Sequence, residues 1–448
     1  MSDQGKNVKS EPATTRSDSE NTEVGSVFVS NYPPYSFWNT EAVPDAMGIL
    51  DSSASLGAQL GLYLHIPFCR KRCKFCYFRV YTDKNSSEIE VYLDALAREV
   101  EIYSTMPAIN GRPLSFVYFG GGTPSYISAK HLKALVDRLK KAIPWDGADE
   151  IAFECEPGTL TQTKLEAIRE IGVTRLSLGV ENLNDDILAE NGRAHLSKEV
   201  YRVMPWIEAL DFDQVNIDLI AGMVGETWES WRATVQQTIE LNPDSITIYQ
   251  MELPFNATYS QDILGGKALP VANWKTKREW HNYAFEQFEL AGFANSSAYT
   301  MVKRGKPRRF VYRDAVWQGS DMMGTGVASF SHMSGAHYQN ATGWKDYIGS
   351  LKADRLPLSR AFLTTPSERL TREMILQLKL GRIDTAYYRE KFNVDILEEF
   401  GSTYKKLQDE GMLILDVDSV ELTRKGLLQV DGLLPEFYAP KYRNARYT

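Results

Sequence analysis

The pattern that most constrains the fold is an alternation, sustained through the middle of the chain, between short runs rich in β-branched and aromatic residues and longer segments of helical period. The strand-like runs are Gly61 to Ile66, Phe116 to Phe119, Glu150 to Phe153, Arg175 to Val180, Val215 to Ile220 and Ser245 to Tyr249. Between them, residues 88–104, 128–142, 162–171, 197–210 and 228–241 predict helices long enough to carry the chain back across a sheet. Strands joined by such crossovers run parallel, so the expected class is α/β, with a parallel sheet that is open or curled into an incomplete barrel. Chemistry in these folds collects at the C-terminal ends of the strands. The polar and glycine-rich punctuation falls there: a cysteine loop after the first run, Gly120-Gly121-Gly122-Thr123 after the second and Glu154 after the third. Glu181 follows the fourth, Asp218 lies near the end of the fifth and Glu252 follows the sixth.

Three of the four cysteines, Cys69, Cys73 and Cys76, share one short segment, which reads as a metal site and not as a secreted disulfide framework. Three thiolates on one loop suit a cubane iron–sulfur cluster whose fourth iron takes no ligand from the loop and stays open to a small molecule. Zinc is the alternative, since His65 lies four residues before Cys69 and would complete a Cys₃His set. Placed inside the apolar run Leu64-His65-Ile66, His65 also reads as a packed side chain. Cys155 reads as a small buried side chain.

The formal charge of −8 argues against a general nucleic-acid binder, which needs a basic surface to displace counterions from phosphate. No apolar stretch is long enough to span a bilayer and no signal-peptide pattern opens the sequence, so a cytoplasmic location is expected. Residues 1–25 are polar and are expected to form a disordered tail. Residues 26–55, with Tyr32, Tyr35, Phe37 and Trp38, read as an arm packed on the body. Residues 56–300 read as the barrel and 301–360 as a connecting and active-site segment. From 361 to 448 the chain reads as a helical module. Thr365-Pro366-Ser367-Glu368 marks a helix start and Asp395 to Glu410 a second helix. Met412 to Leu415 and Val420 to Leu422 read as a hairpin, with a further helix near Thr423. This is a winged-helix-like pattern. Its acidic Asp409, Glu410, Asp416 and Asp418 would repel nucleic-acid phosphate, so a cover over the active site is the expectation.

The C-x₃-C-x₂-C loop after a first strand resembles the radical SAM superfamily. The run Leu62-Tyr63-Leu64-His65-Ile66-Pro67-Phe68-Cys69 narrows the resemblance to the branch of oxygen-independent coproporphyrinogen III oxidase and the haem chaperone. Phe119-Gly120-Gly121-Gly122-Thr123-Pro124-Ser125, Glu154-Cys155-Glu156-Pro157-Gly158, Leu178-Gly179-Val180-Glu181 and Asn216-Ile217-Asp218-Leu219-Ile220 extend it. So do Gly324-Thr325-Gly326-Val327-Ala328-Ser329, Tyr338-Gln339-Asn340 and Leu422-Thr423-Arg424-Lys425-Gly426. The resemblance implies a partial (β/α)₆ barrel with the C-terminal module, and a [4Fe-4S] cluster on Cys69, Cys73 and Cys76. It further implies that S-adenosylmethionine binds the open iron and is cleaved reductively to start radical chemistry. Tyr63 would lie against cluster and nucleoside, and Gly121, Gly122 and Thr123 would let backbone approach the methionine part. Glu154, Arg193 and Asp218 match positions contacting S-adenosylmethionine, structural salt bridges being their other reading.

Three departures qualify the match. Glu181 stands where the family has Gln, and Phe78 where the oxidase has a further cysteine. The chaperone's His-Asn-x-x-Tyr-Trp haem motif corresponds to Tyr312-Arg313-Asp314-Ala315-Val316-Trp317, which keeps only Trp317. The leading expectation is oxidative decarboxylation of coproporphyrinogen III or a related tetrapyrrole. Haem-binding chaperone, and methyltransferase or cyclopropane-forming enzyme, are the rivals. Two basic runs, Arg70, Lys71, Arg72 and Lys74, and Lys303, Arg304, Lys306, Arg308 and Arg309, would receive propionates or an acidic reductant such as flavodoxin or ferredoxin. Solvated loops are the alternative.

Overall fold

A computed structural model describes residues 21–54, 57–307 and 309–443. Most of the expected N-terminal tail, residues 1–20, and Arg308 of the second basic run lie outside the described residues. The six expected strands form as β1 (Leu60–Ile66), β2 (Phe116–Gly121), β3 (Glu150–Cys155), β4 (Arg175–Glu181), β5 (Gln214–Ala221) and β6 (Ser245–Gln250), all parallel and side by side in chain order. In β1, Leu60, Leu62, Leu64 and Ile66 are at most 1% exposed and join the core that holds Leu96 and Val100 of the following helix. Each such side chain contributes roughly 1.5–3 kcal/mol on burial. The alternate residues Tyr63 and His65 face a cavity on the other side. Period 2 thus divides this strand into a structural face and a chemical face.

The crossovers are the helices Ser86–Thr105, Ala129–Ala142, Gln162–Glu170, Ser197–Ala209 and Trp228–Leu241. Their starts are written locally. Asn85 accepts from Glu88 N, and Glu88 accepts in return from Asn85 N. Ser128, Thr161 and Thr227 each accept from the backbone N–H three residues on and cap three of the others.

Beyond β6 the sheet grows at both edges. β7 (Phe293–Asn295) and β8 (Thr300–Lys303) extend it antiparallel past β6. At the other edge β9 (Asp321–Thr325) is a seventh parallel strand beside β1, followed by the antiparallel β10 (Phe330–Met333), β11 (Ala336–Asn340) and β12 (Leu358–Leu363). Residues 301–360, expected as a connecting segment, therefore complete a 12-stranded sheet among the described residues. β9 is short and carries Met-Met-Gly-Thr without polar alternation, so it leaves little periodic signal.

The C-terminal module begins at the expected capping box on Thr365 and Glu368, with the helix Pro366–Leu378. It continues through β13 (Arg382–Asp384), the helices Thr385–Phe392, Ile396–Glu399 and Gly401–Asp409, then β14 (Leu413–Leu415) and β15 (Ser419–Leu422), with sheet order β13-β15-β14. The single helix expected from Asp395 to Glu410 is interrupted at Phe400, next to Gly401. The hairpin itself is exposed at Ile414 and Val417, whereas the segment from Leu427 to Gly432 lines the cavity. The covering part of the module is thus the segment after the wing. Among the described residues no helix is long and apolar enough to cross a membrane.

Candidate active site

A cavity of about 1680 Å³ lies over the C-terminal ends of the parallel strands and is lined by all eleven residues singled out from the sequence: Tyr63, Cys69, Cys73, Cys76, Gly121, Gly122, Thr123, Glu154, Glu181, Arg193 and Asp218. The cysteine loop is held in place from several sides. Cys69 N donates to Tyr81 O at 3.1 Å and Tyr81 N to Pro67 O at 2.7 Å. Gly122 N donates to Ile66 O at 2.9 Å, and a Cβ on Gly122 would stand 2.8 Å from the Pro67 carbonyl carbon. On Gly121, where φ is +109°, a Cβ would meet the His65 ring at 2.4 Å. The glycines expected to admit S-adenosylmethionine are thus required already by the packing of the β2 loop against the cysteine loop and His65.

The sulfurs have donors of their own. Thr123 Oγ1 donates to Cys69 Sγ and Arg193 Nη1 to Cys73 Sγ, each at 3.3 Å. Burial pushes the Cys69 thiol up to about 11 and the Cys76 thiol up to about 12, so both stay protonated until a cation replaces the proton. Among the described residues, no three or more His, Cys, Asp or Glu side chains converge as the ligands of one metal ion would. His65 faces Tyr63 OH and Arg79 O, both at 3.5 Å. Three thiols, two of them with donors at their sulfurs, and the buried Arg193 Nε without a partner, fit a cluster whose irons each take one thiolate.

Three carboxyls form the acidic floor. Glu154 accepts from Tyr118 OH at 2.7 Å and Gly121 N at 3.1 Å, and Asp218 from Ser177 Oγ at 2.8 Å and Asn216 Nδ2 at 2.9 Å. Neither forms a salt bridge among the described residues, which leaves their structural ion-pair reading without a partner. Glu181, at φ +67°, lies 3.6 Å from Arg193. Burial raises Glu154 and Glu181 to about 7 and Asp218 to about 6. With Arg193 beside Glu181 and Arg175 already paired to Glu150, the three carboxyls form a site that favours a cationic ligand. Tyr63, Tyr118 and Tyr312 stack beside it, with centroids 5.7 Å and 4.2 Å apart along the series.

One clamp is not evident from the sequence. Arg70 donates to Glu156 through Nε at 3.2 Å and Nη2 at 3.1 Å, and His195 Nδ1 lies 3.0 Å from the same carboxylate. Burial opposes ionisation of Glu156, but the contacts to His195 and Arg70 outweigh it and hold the carboxyl at about 2. The only local signal was His195 two residues after Arg193. The expected role of the basic runs changes accordingly. Arg70 is engaged here, Lys74 binds Glu190 at 3.0 Å and Arg72 donates to backbone carbonyls. Lys303 and Lys306 of the second run sit at the opposite end of the strands, where Lys303 N and Lys306 Nζ bind Asp244 just before β6. Phe78 stacks on Tyr77 at 4.4 Å, and both line the cavity partly exposed.

Known proteins resemble this chain in sequence and fold. The family model described as Radical SAM superfamily matches residues 63–238, and that described as HemN C-terminal domain matches residues 364–428. Residues 63–238 thus carry a radical SAM domain, followed by a HemN C-terminal domain. A [4Fe-4S] cluster and S-adenosylmethionine are the cofactors of that superfamily. The chain is 25% identical to the oxygen-independent coproporphyrinogen III oxidase of Synechocystis, with 91% of each covered. It is 27% identical to the heme chaperone HemW of Bacillus subtilis, covering 82% of this chain and 96% of that one. The solved coproporphyrinogen III oxidase of Escherichia coli has the same fold, with a TM-score of 0.78 at 22% identity over 92% of this chain and 96% of that one.

Proposed function

We propose that this radical SAM protein oxidatively decarboxylates a tetrapyrrole of the coproporphyrinogen type. The observation that carries the reading is the content of the cavity: three thiols, an acidic floor and a tyrosine stack within about 1680 Å³. Ordinary ligand pockets occupy roughly 300–1,000 Å³, so there is room for S-adenosylmethionine and a large substrate together. Cys69, Cys73 and Cys76 would hold the cluster, with Thr123 and Arg193 stabilising two of the thiolates. When bound, the cluster and S-adenosylmethionine supply reductive cleavage and hydrogen-atom abstraction. Glu154, Glu181 and Asp218 would receive the cationic and ribose groups of S-adenosylmethionine, and Tyr63 would lie along its nucleoside. The tyrosine stack and the segment from Leu427 to Gly432 keep water from the reacting groups.

A haem-chaperone reading is favoured by one feature, the Phe78 ring at the mouth where the oxidase pattern has cysteine. Product analysis under reducing, oxygen-free conditions separates the readings. The proposal expects 5′-deoxyadenosine, methionine and carbon dioxide from coproporphyrinogen III, with S-adenosylhomocysteine at background. Stoichiometric haem binding with no tetrapyrrole consumed would put the chaperone in its place. Accumulating S-adenosylhomocysteine with a methylated or cyclopropanated product would put a transferase there.

A further inference from the structure

Two arginines of the cavity wall are used by none of the groups above. Arg372, on the helix Pro366–Leu378, is 3% exposed; its Nε donates to Asn31 Oδ1 at 2.7 Å and its Nη1 to Val316 O at 3.1 Å. Arg360, on β12, is half-buried and donates through Nε to Gln339 Oε1 at 2.6 Å and through Nη1 to Tyr35 O at 3.0 Å. Among the described residues neither forms a salt bridge, and each keeps its Nη2 without a hydrogen-bond partner. Glu373, beside Arg372 in sequence, is already taken by Lys391 at 2.8 Å and Tyr387 OH at 2.5 Å. By contrast Arg175, Arg193 and Arg313, which line the same cavity, face Glu150, Glu181 and Asp314.

An unpaired buried guanidinium is expensive to keep, and burial holds both arginines below their ordinary range. Both charges act on the Tyr35 phenol, and the Tyr35 ring packs on Trp38 at 4.9 Å and Phe330 at 4.3 Å. The cavity therefore carries an acidic floor at the strand tips and a separate wall that is aromatic and cationic.

We propose that Arg360 and Arg372 form a carboxylate-binding subsite that receives acid groups of the substrate through their free Nη2 edges. The proposal rests on the reading of the substrate as a carboxylate-bearing tetrapyrrole, and it replaces the two basic runs as the residues that meet propionates. A guanidinium edge with neutral partners on its other nitrogens is already oriented to accept a carboxylate.

The test is equilibrium binding to the anaerobically reconstituted holoprotein with three probes: coproporphyrin III, its uncharged tetramethyl ester, and dodecanedioate. The acid should bind at least about tenfold more tightly than the ester, the scale of one charge-assisted contact. Arg360→Gln and Arg372→Met should each weaken the acid by about that factor and leave the ester unchanged. Arg360→Gln, half-buried on an edge strand, keeps the test valid should Arg372→Met fail to fold. Equal binding of acid and ester, or unchanged acid affinity in both variants, overturns the subsite while the tetrapyrrole reading stands. Arginine-dependent binding of dodecanedioate with neither porphyrin bound keeps the subsite and overturns the tetrapyrrole reading. Binding of none of the three overturns both.

Discussion

At the scale of single residues, Glu181 shows how environment changes the meaning of a sequence departure. A carboxylate in place of the family's glutamine removes a donor, but a carboxyl raised to about 7 is partly protonated near neutral pH and carries an O–H where the amide carries N–H. Glu181→Gln is therefore expected to keep S-adenosylmethionine affinity within about threefold, whereas Glu181→Ala loses more. A stability test follows from the same shift. Because the folded value lies above the ordinary 4.5, the native state binds the extra proton, and stability is lost as pH rises through about 7. Gln has no such loss, so the melting temperature of cluster-free Glu181→Gln should gain on that of wild type between pH 6 and pH 8. Taking the difference cancels buried histidines such as His332, which burial lowers to about 3 and which titrate in the opposite sense. A constant difference would show that Glu181 is ionised throughout. The cysteines and the strand-tip acids were legible in the sequence because loop spacing and strand ends are local features. The pairing of Arg70 with Glu156 and His195, and the free edges of Arg360 and Arg372, depend on partners far along the chain and leave no local pattern.

At the scale of elements, a tight junction at Gly122 packs the cysteine loop against β2, and another at Glu99 holds the segment after β9. Gly122→Ala would place its Cβ within 3.0 Å of Ile66 O and Phe68 N, so the loop must shift from β2. Iron retained after desalting should fall well below wild type while the far-ultraviolet circular dichroism is unchanged; full retention would mean that the loop is looser than this packing implies. The fully buried Glu99, on the helix Ser86–Thr105, accepts from Gly326 N at 2.8 Å, Asn340 Nδ2 at 2.6 Å and Tyr347 OH at 2.7 Å. Glu99→Ala leaves Gly326 N and Tyr347 OH buried and unpaired and should lower unfolding stability by roughly 3 kcal/mol in denaturant titration. The six parallel strands and five crossovers could be read from periodicity and caps. The β9 to β12 extension could not, since short strands defined by distant partners carry too few residues to show a period.

At the scale of the whole molecule, Asp431 joins three parts of the chain. It accepts from Val29 N of the arm at 2.8 Å, pairs with the buried Lys379 at 2.8 Å and binds Tyr299 OH. With Glu252 accepting from Val27 N and Phe28 N, it closes the arm over the cavity. Asp431→Ala strands the Lys379 charge at a cost of about 3–5 kcal/mol and should speed limited proteolysis of residues 21–38. Proteolysis at the wild-type rate would mean that the arm is held elsewhere.

The claim on which all of this depends is that the cavity is organised around a cluster on one three-cysteine loop. Iron and zinc content, measured on anaerobically reconstituted wild type and on each Cys→Ala variant, tests it most directly. About four irons per brown wild-type chain are expected, lost in Cys69→Ala, Cys73→Ala and Cys76→Ala and retained in Cys155→Ala. A colourless protein holding one tightly bound zinc, or iron retained without those three thiols, would contradict it.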